Sequence, residues 1–290
     1  MNAIKTSLGP GLYLVATPIG AARDITLRAL DLLASGDVLA AEDTRALRRL
    51  MDIHGVALGD RPLWSYHDHN GGRMRPKLLA ALADGKSVIY ASEAGTPMVA
   101  DPGFDLARAA VADGHDLISA PGPSAVIAAL TLAGLPTDQF HFSGFLPATA
   151  SKRKSALRAL AAVPGTLVFY ESPKRAAAML RDATEILGGT RQAAICRELT
   201  KKFEETLRGT LSDLAGICAN RALKGEIVVL IGRGDSVTVN DFDLEKRLKT
   251  ALEMMSVRDA ADVVSVELGL NRRLVYRRAL ELGDDTGTDE

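Results

Sequence analysis

Residues 11–35 read GLYLVATPIGAARDITLRALDLLAS, an order that predicts a strand, a tight loop and then a helix. The apolar run Gly11–Thr17 is followed at once by the proline and glycine of PIG, as a buried strand often is at its end. The apolar residues of Leu27–Ser35 recur at helical spacing, and Thr26 stands directly before them, where its hydroxyl can cap the first turn. These residues therefore predict one βα unit.

The same order recurs along most of the chain. Repeated strand–helix units predict an α/β fold in which helices cover mainly parallel sheets. Glu204–Gly209 follows the preceding strand without an intervening helix, which predicts that the second of two sheets is mixed. Further strands are predicted at Asp37–Ala41, Ser87–Ser92, Asp116–Ala120, His141–Phe145, Thr166–Tyr170, Gln192–Arg197 and Glu226–Gly232.

Two breaks divide the chain: the proline- and glycine-rich segment 120–124 and the polar segment 232–243. After the second break, the helical patterns Leu244–Met254, Val257–Leu268 and Arg272–Leu282 resemble a helix-turn-helix module, with the turn at Gly269–Asn271. The predicted parts are an α/β domain at 1–120, a second α/β domain at 121–235, a helical module at 243–283 and an acidic disordered tail at 284–290.

The composition is that of a soluble globular protein, because 47% of the residues are apolar and 24% are charged. The first ten residues hold no apolar segment of the kind a secretory signal needs. The longest weakly polar stretch, Ser124–Leu135, is far shorter than the ~20 residues of a membrane span. Cys196 and Cys218 lie in apolar surroundings without metal-binding spacing, which predicts buried free thiols. We therefore expect a cytoplasmic protein with neither a membrane segment nor a metal site.

The charge balance says little about a nucleic-acid partner. The net charge is −1, but the last eight residues hold four acids and no base, so the chain before them carries +3. This balance is well short of the strongly basic domain that binds naked duplex through broad phosphate attraction. Composition by itself leaves the partner open.

Three loops after strands are candidates for a binding site, since ligands of parallel α/β sheets lie beyond the carboxyl ends of strands. They are ATPIG at 16–20, SEAGTPMVADPG at 92–103 and PGPSA at 121–125. The first loop lacks the glycines of the dinucleotide fingerprint and the lysine of a P-loop, which argues against NAD-dependent and ATP-binding enzymes. The second allows close backbone approach, and the third begins a helix whose free N–H groups can bind an anion or a polar edge.

In this order the loops resemble those of the tetrapyrrole methylase family, in particular its RNA-modifying branch. The likeness covers about residues 11–282. Two motifs depart from the family pattern: Glu93 stands where aspartate is usual, and Gly71 and Gly72 stand where an acid usually follows HDHN. Other motifs that carry the likeness are AEDTR at 41–45, HDHN at 67–70, FYES at 169–172 and RELTK at 197–201.

The resemblance implies two α/β domains flanking a cofactor cleft, a homodimer, and S-adenosylmethionine as the methyl donor. It further implies 2′-O-methylation of a cytidine ribose in the decoding centre of 16S rRNA, within the small ribosomal subunit. The residues that family position places around the cofactor are Thr17, Pro18, Ile19, Gly95, Thr96, Val99, Ser124, Ala125, Phe169, Tyr170 and Glu226.

A ribose hydroxyl is a poor nucleophile, so a base or hydrogen-bond acceptor near it would help the transfer. Polar residues that follow strands are candidates for this role, and each of them also has a structural alternative. Asp43, which follows Glu42, could be the N-terminal acid of a helix with Arg45 as its partner, and Glu198 could pair with Lys201. HDHN could form a surface turn. The candidates for the catalytic role, which follow strands, are Asp43, His69, Asn70 and Glu198.

Basic residues occur in small clusters that could contact RNA phosphates. Arg273 and Arg277 are four residues apart and share one helix face, for which a merely solvated face is the alternative. Small clusters fit the fixed phosphates of an assembled ribosomal subunit better than naked RNA. The candidates for RNA contact are Lys152, Arg153, Lys154, Lys201, Arg273 and Arg277.

Two other classes of protein stay open. A small-molecule enzyme of the same fold would methylate a tetrapyrrole carbon, and both the AEDTR segment and the C-terminal module argue against it. A ligand-sensing regulator would read DNA with the C-terminal helices, and the acidic tail directly after them argues against that role.

Overall fold

The computed structural model describes residues 3–234, 241–268, 270 and 272–284. The chain divides into two compact units, with the boundary between Arg233 and Gly234. Residues 285–290 of the predicted acidic tail lie outside the described residues, as do Gly269 and Asn271 of the predicted turn.

The first half of the larger unit alternates strands and helices. Its elements in chain order are β1 (Gly11–Val15), α1 (Leu27–Ser35), β2 (Val38–Ala41), α2 (Thr44–Ile53), β3 (Leu63–Ser65), α3 (Gly71–Ala83), β4 (Ser87–Ala91), α4 (Gly103–Ala112), β5 (Leu117–Ala120) and α5 (Ala125–Ala133). The five strands form one parallel sheet in the order β3-β2-β4-β1-β5. Because helices cover both faces, β1, β2 and β4 are buried at every residue.

Local signals explain these elements. The Thr26 hydroxyl accepts a hydrogen bond from the N–H of Ala29 at 3.1 Å, so it caps α1 as predicted. The strand β3 was not predicted, because its three residues are only partly buried and show no apolar run. It lies at the edge of the sheet beside β2.

The second half continues with a mixed sheet, as predicted. Its elements are β6 (Phe140–Phe145), α6 (Ala150–Leu160), β7 (Thr166–Glu171), α7 (Pro173–Leu187), β8 (Gln192–Arg197), β9 (Glu205–Thr210), α8 (Leu211–Asn220) and β10 (Ile227–Ile231). The strand order is β6-β7-β10-β8-β9, in which only the β6–β7 pair is parallel. Cys196 and Cys218 are buried free thiols, and burial raises the pKa of both.

The helix α5 connects the two sheets. Its apolar residues, among them Val126 and Leu130, pack with Val168 and Val228 on the inner face of the second sheet. Ile19, from the loop after β1, belongs to the same cluster. The first half therefore contributes both a helix and a loop to the core beneath the second sheet.

The smaller unit consists of α9 (Asp241–Leu252), α10 (Val257–Leu268) and α11 (Arg272–Asp284). Its own core contains Leu244, Leu248, Val264 and Val275. The third helix ends at Asp284, the first residue of the predicted tail. In the part of the chain that the structure describes, no helix combines the length and apolarity needed to cross a membrane.

We predict that Thr26→Ala lowers the free energy of unfolding by about 1 kcal/mol, because the N–H of Ala29 loses its capping partner. Urea unfolding followed by circular dichroism measures the change. Thr26→Ser keeps the hydroxyl and is the matched control. Equal losses for the two variants would show that the methyl group, and not the cap, is what stabilises α1.

Candidate active site

Three loops that follow strands of the first sheet are bound to one another. The backbone of Thr17 and that of Gly95 exchange two hydrogen bonds of 3.0 Å. The Thr17 hydroxyl donates to the carbonyl of Ser92 at 3.1 Å, and the Thr96 hydroxyl donates to the carbonyl of Pro123 at 2.9 Å. The loops ATPIG, SEAGTP and PGPSA thus form one hydrogen-bonded assembly beyond the carboxyl ends of the strands.

A cavity of about 490 Å³ lies against this assembly and the second sheet. Its size is in the range of sites that hold small molecules and cofactors. Both apolar side chains and several carboxylates line it. The lining residues are Ile19, Glu42, Glu93, Ala94, Val99, Ala100, Asp101, Ala125, Phe145, Tyr170, Glu171, Ser172, Pro173, Leu199, Gly225, Glu226, Ile227 and Val228.

Five of the residues predicted to contact the cofactor line the cavity: Ile19, Val99, Ala125, Tyr170 and Glu226. Tyr170 is held by the rings of Phe142 and Phe145, whose centroids lie 4.9 and 5.7 Å from its own. Burial, and then the negative charge of Glu226, raises the pKa of Tyr170. The phenol therefore stays a hydrogen-bond donor at neutral pH.

Other residues of the predicted cofactor set shape the loops. Thr17 is 2% exposed, and its side chain serves the loop assembly described above. Gly95 has φ of +83°, and a Cβ there would lie 3.3 Å from Cγ2 of Ile19. Ser124 directly precedes α5. Thr17, Pro18, Gly95, Thr96 and Ser124 are not among the residues that line the cavity.

The side chain of Phe169 lies on the opposite face of the sheet from that of Tyr170, so the predicted contact of Phe169 with the cofactor, which stays a prediction, falls to its backbone. Alternate side chains of a strand point to opposite faces of its sheet. Leu167 and Phe169 pack in the cluster beneath α6 and α7, whereas Val168 and Tyr170 face the cluster of α5. Phe169 is 1% exposed and belongs to the core.

Asp43 has the structural role that the sequence analysis left open, and its catalytic role stays a prediction. Asp43 is the N-cap of α2, and its carboxylate accepts hydrogen bonds from the N–H groups of Arg45 and Ala46 at 2.8 and 3.2 Å. These two bonds hold the pKa of Asp43 below its usual range. The carboxylate is committed to the helix terminus, and its neighbour Glu42 lines the cavity instead.

Glu42, which precedes Asp43 and is not among the predicted catalytic residues, lines the cavity. It follows β2 directly, is partly buried, and its carboxylate has no hydrogen-bond or ion-pair partner among the described residues. Burial raises the pKa of Glu42, and the nearby negative charges of Glu93 and Asp101 raise it further. Strand parity could have separated Glu42 from Asp43, because the two side chains leave the strand end on opposite sides.

His69 and Asn70 are in the loop between β3 and α3, outside the residues that line the cavity. The Asn70 amide oxygen accepts from the N–H of His67 at 2.9 Å, and its amide nitrogen donates to the carbonyl of Ser65 at 3.1 Å. Asn70 therefore closes the turn, and His69 is exposed beside it. The expected turn is present, and a catalytic role for either residue stays a prediction.

Glu198 connects the segment after β8 to the segment before β10. One of its carboxylate oxygens accepts from the N–H of Glu226 at 3.0 Å and from the Lys201 ammonium at 3.1 Å. These bonds lower the pKa of Glu198. Lys201 also binds the Glu226 carboxylate at 2.9 Å. The expected ion pair of Glu198 is thus present, and its carboxylate is occupied by the protein itself.

Arg153, one of the residues predicted to contact RNA, has a buried side chain. It is 4% exposed and forms a buried ion pair with Asp182, whose Oδ2 lies 2.6 Å from Nη2. It also donates to the carbonyl of Ala148 at 2.9 Å. Lys154 is partly buried and binds Glu185 at 2.6 Å, whereas Lys152 is exposed. Within the basic cluster 152–154, Lys152 alone is exposed and has no ion pair with an acid of the described residues.

Arg273 and Arg277 are exposed on α11 of the smaller unit. Together with Tyr276, Leu274 and Leu280 they line a shallow surface groove. This grouping combines two guanidinium groups with an aromatic ring, a combination suited to a nucleic-acid backbone and its bases. RNA contact at this groove stays a prediction.

The chain belongs to the family of tetrapyrrole (corrin/porphyrin) methylases, whose model matches residues 11–215. A second model, the RsmI C-terminal HTH domain, matches residues 239–283. The predicted family and fold class are therefore confirmed, and so is methyl transfer with S-adenosylmethionine as the donor.

Relatives extend the likeness over both units. Ribosomal RNA small subunit methyltransferase I of Mesorhizobium japonicum is 48% identical over 97% of this chain and 95% of that protein. The protein of the same name from Xylella fastidiosa is 40% identical over 92% of this chain and 98% of that protein. A uroporphyrin-III C-methyl transferase from Thermus thermophilus, solved with S-adenyl homocysteine, shares the fold with a TM-score of 0.55 at 20% identity. The match covers 77% of this chain and 97% of that one.

We predict that Arg153→Met lowers the free energy of unfolding by about 3–5 kcal/mol, because the buried Asp182 carboxylate keeps only the Lys154 ammonium, 4.0 Å away, as a partner. Thermal and urea unfolding measure the loss. Lys152→Met, one residue earlier and exposed, should change stability by less than about 0.5 kcal/mol. Similar stabilities for the two variants would contradict the structural role of Arg153.

We predict that Gly95→Ala weakens cofactor binding and also lowers stability, because a side chain at positive φ costs roughly 1–2 kcal/mol. Gly85→Ala is the matched control, since Gly85 has φ of +74° but no atom within 4 Å of its Cβ position. Calorimetry with S-adenosylhomocysteine should show weakened binding for Gly95→Ala and unchanged binding for Gly85→Ala. Unchanged affinity in both would remove Gly95 from the cofactor site.

Proposed function

We propose that this protein methylates the 2′-hydroxyl of a cytidine ribose in the decoding centre of 16S rRNA, using S-adenosylmethionine. The substrate would be the small ribosomal subunit. The observation that carries the proposal is the match of relatives named ribosomal RNA small subunit methyltransferase I over 92–97% of the chain. These alignments are too long to be accounted for by the α/β unit alone.

The C-terminal helices distinguish RNA from tetrapyrrole as the substrate. The Thermus thermophilus uroporphyrin-III enzyme is matched over 97% of its own length but over only 77% of this chain. The model of the RsmI C-terminal HTH domain accounts for residues 239–283. A small-molecule enzyme needs no such module, whereas a protein that docks on a ribosomal subunit gains a second contact surface from it.

The cavity fits S-adenosylmethionine in size and in charge. Apolar residues such as Ile19, Val99 and Val228 suit a nucleoside, and the carboxylates of Glu42, Glu93 and Glu226 suit a ligand with positive charge. The cofactor supplies an electrophilic methyl group on a sulfonium. The protein's part is to hold that methyl group in line with the acceptor oxygen, since methyl transfer gains most from positioning.

Charge favours an assembled subunit as the substrate. With a net charge of −1, the chain has little general attraction for phosphates. Arg153 is buried, and Lys154 and Lys201 are bound to acids of the protein, so fewer bases face solvent than the sequence indicates. Recognition of the substrate then depends on a folded RNA surface, such as that of the assembled subunit, which holds its phosphates at fixed positions. The homodimer and the cytoplasmic location stay predictions that accompany this proposal.

We expect methyl incorporation from labelled S-adenosylmethionine into intact small subunits to exceed that into protein-free 16S rRNA at matched salt, by about tenfold or more. Ribose-methylation mapping of the product should place the mark on a cytidine of the decoding centre. Incorporation into a tetrapyrrole precursor but into no RNA would replace the proposed substrate. Specific duplex-DNA binding without any methyl transfer would favour the regulator instead.

We also expect Arg277→Glu to slow methylation of subunits at limiting subunit concentration while the affinity for S-adenosylhomocysteine stays the same. The reason is that Arg277 lies on α11, in a unit that folds around its own core. Lys249→Glu makes the same charge change on the exposed side of α9 and serves as the control. Equal effects of the two variants would assign the result to net charge and not to the groove.

A further inference from the structure

Three carboxylates from two loops are among those that line the cavity. Glu42 follows β2, Glu93 follows β4, and Asp101 precedes α4. Bringing like charges together in a partly buried place is unfavourable unless a ligand or a proton compensates for them. The three acids differ sharply in how the protein uses them.

Asp101 is committed to structure. Its Oδ1 accepts from the Tyr90 hydroxyl at 2.8 Å, from the N–H of Gly103 at 2.7 Å and from the N–H of Met98 at 3.3 Å. These bonds hold a loop in which Met98 and Ala100 both have positive φ. Asp101 therefore fixes the backbone of the cavity wall and has little remaining capacity to act on a substrate.

Glu93 and Glu42 have more freedom, but only Glu42 is withdrawn from water. Glu93 is exposed, whereas Glu42 is partly buried at the strand end. The Glu42 carboxylate is not bound by any donor among the described residues. It directly follows β2, whose pairing with β3 and β4 extends to Ala41. Glu42 is thus an acceptor beside a fixed strand end, and no described residue uses the hydrogen-bonding capacity of its carboxylate.

We propose that Glu42 is a catalytic residue, the general base that accepts the proton of the ribose 2′-hydroxyl during methyl transfer. This inference rests on the function proposed above. As the acceptor oxygen forms its bond to the methyl carbon, the carbon–sulfur bond breaks and its electron pair stays on sulfur. The proton of the hydroxyl passes to a Glu42 carboxylate oxygen, and the sulfonium charge is neutralised.

The surroundings of Glu42 suit this role at neutral pH. Burial is the largest cause that raises its pKa, and the charges around it act in the same direction. A carboxylate with a raised pKa is a stronger base, yet it remains ionised while the pH exceeds that value. The kcat of the protein should therefore fall as the pH drops through the pKa of Glu42. The ionisable groups that surround Glu42 are Glu93, Asp101, Asp68, Asp43 and Tyr90.

Glu42→Gln keeps the shape of the side chain and removes the base. We expect kcat on small subunits to fall by about 10²-fold or more, while KM and the affinity for S-adenosylhomocysteine change by less than about threefold. The acid limb of the pH–rate profile should disappear in this variant. Glu42→Asp, which retains a carboxylate but moves it, should regain part of the rate.

Two further variants separate a base from a structural carboxylate. Glu93→Gln removes a neighbouring negative charge, so it lowers the pKa of Glu42 and should shift the acid limb to lower pH. Asp43→Asn keeps an oxygen that can cap α2 and should retain kcat within about twofold. If Glu42 had only a structural role, Glu93→Gln would not shift the acid limb of the pH–rate profile.

The results distinguish this inference from the proposed function. Wild-type rates in Glu42→Gln, or an acid limb that persists in it, would overturn the role of Glu42 while ribose methylation stands. Loss of cofactor affinity in parallel with the rate would reassign Glu42 to holding the cofactor. If Glu42→Gln did not fold, a Glu42→Asp variant with unchanged kcat and pH profile would refute the role. Absence of RNA methylation by the unaltered protein would overturn both proposals.

Discussion

The exchange of two backbone hydrogen bonds between Thr17 and Gly95 is the constraint on which the site depends. It joins the loop after β1 to the loop after β4, two strands that are also neighbours in the sheet. Gly95 has the positive φ that this approach requires, and the Thr96 hydroxyl extends the connection to the loop before α5. Backbone groups that would otherwise need water are satisfied within the assembly, so the loops can form one wall of a ligand cavity.

The loop after β1, which belongs to this assembly, also contacts the second half of the larger unit. Ile19 is inserted into the core beneath the second sheet, and the N–H of Ala21 donates to the Thr200 hydroxyl at 2.9 Å. Gly20 lies so close to this loop that a Cβ would be 2.7 Å from the carbonyl of Leu199. A displacement of the first loop would therefore be transmitted to Leu199, which lines the cavity. The two halves share their core as well as the cavity between them.

Periodicity predicted most of this fold, because long apolar runs and helical spacing report burial directly. Thr26 and the mixed second sheet are examples, and β3 was missed because three half-buried residues carry almost no such signal. Side-chain roles were harder to predict. The sequence places Glu42 beside Asp43 and Phe169 beside Tyr170, but only strand direction and packing decide which member of each pair faces the cavity. Arg153 looked like part of a basic cluster, and its burial depends on Asp182, 29 residues away, which no local pattern reveals.

The charge distribution also constrains how RNA can approach. The carboxylates of Glu42 and Glu93 line the cavity without an ion-pair partner among the described residues, so its interior favours a cation and opposes the entry of phosphate groups. Under the proposed function, the neutral ribose hydroxyl enters the cavity while the phosphates on either side remain outside. The nucleotide would then be turned out of its surroundings by contacts made elsewhere, for which the exposed side chains of Lys152 and Arg277 are predicted candidates. Substrate selection would then come from the shape that delivers the ribose, while the cavity itself distinguishes only a neutral hydroxyl from a charged group.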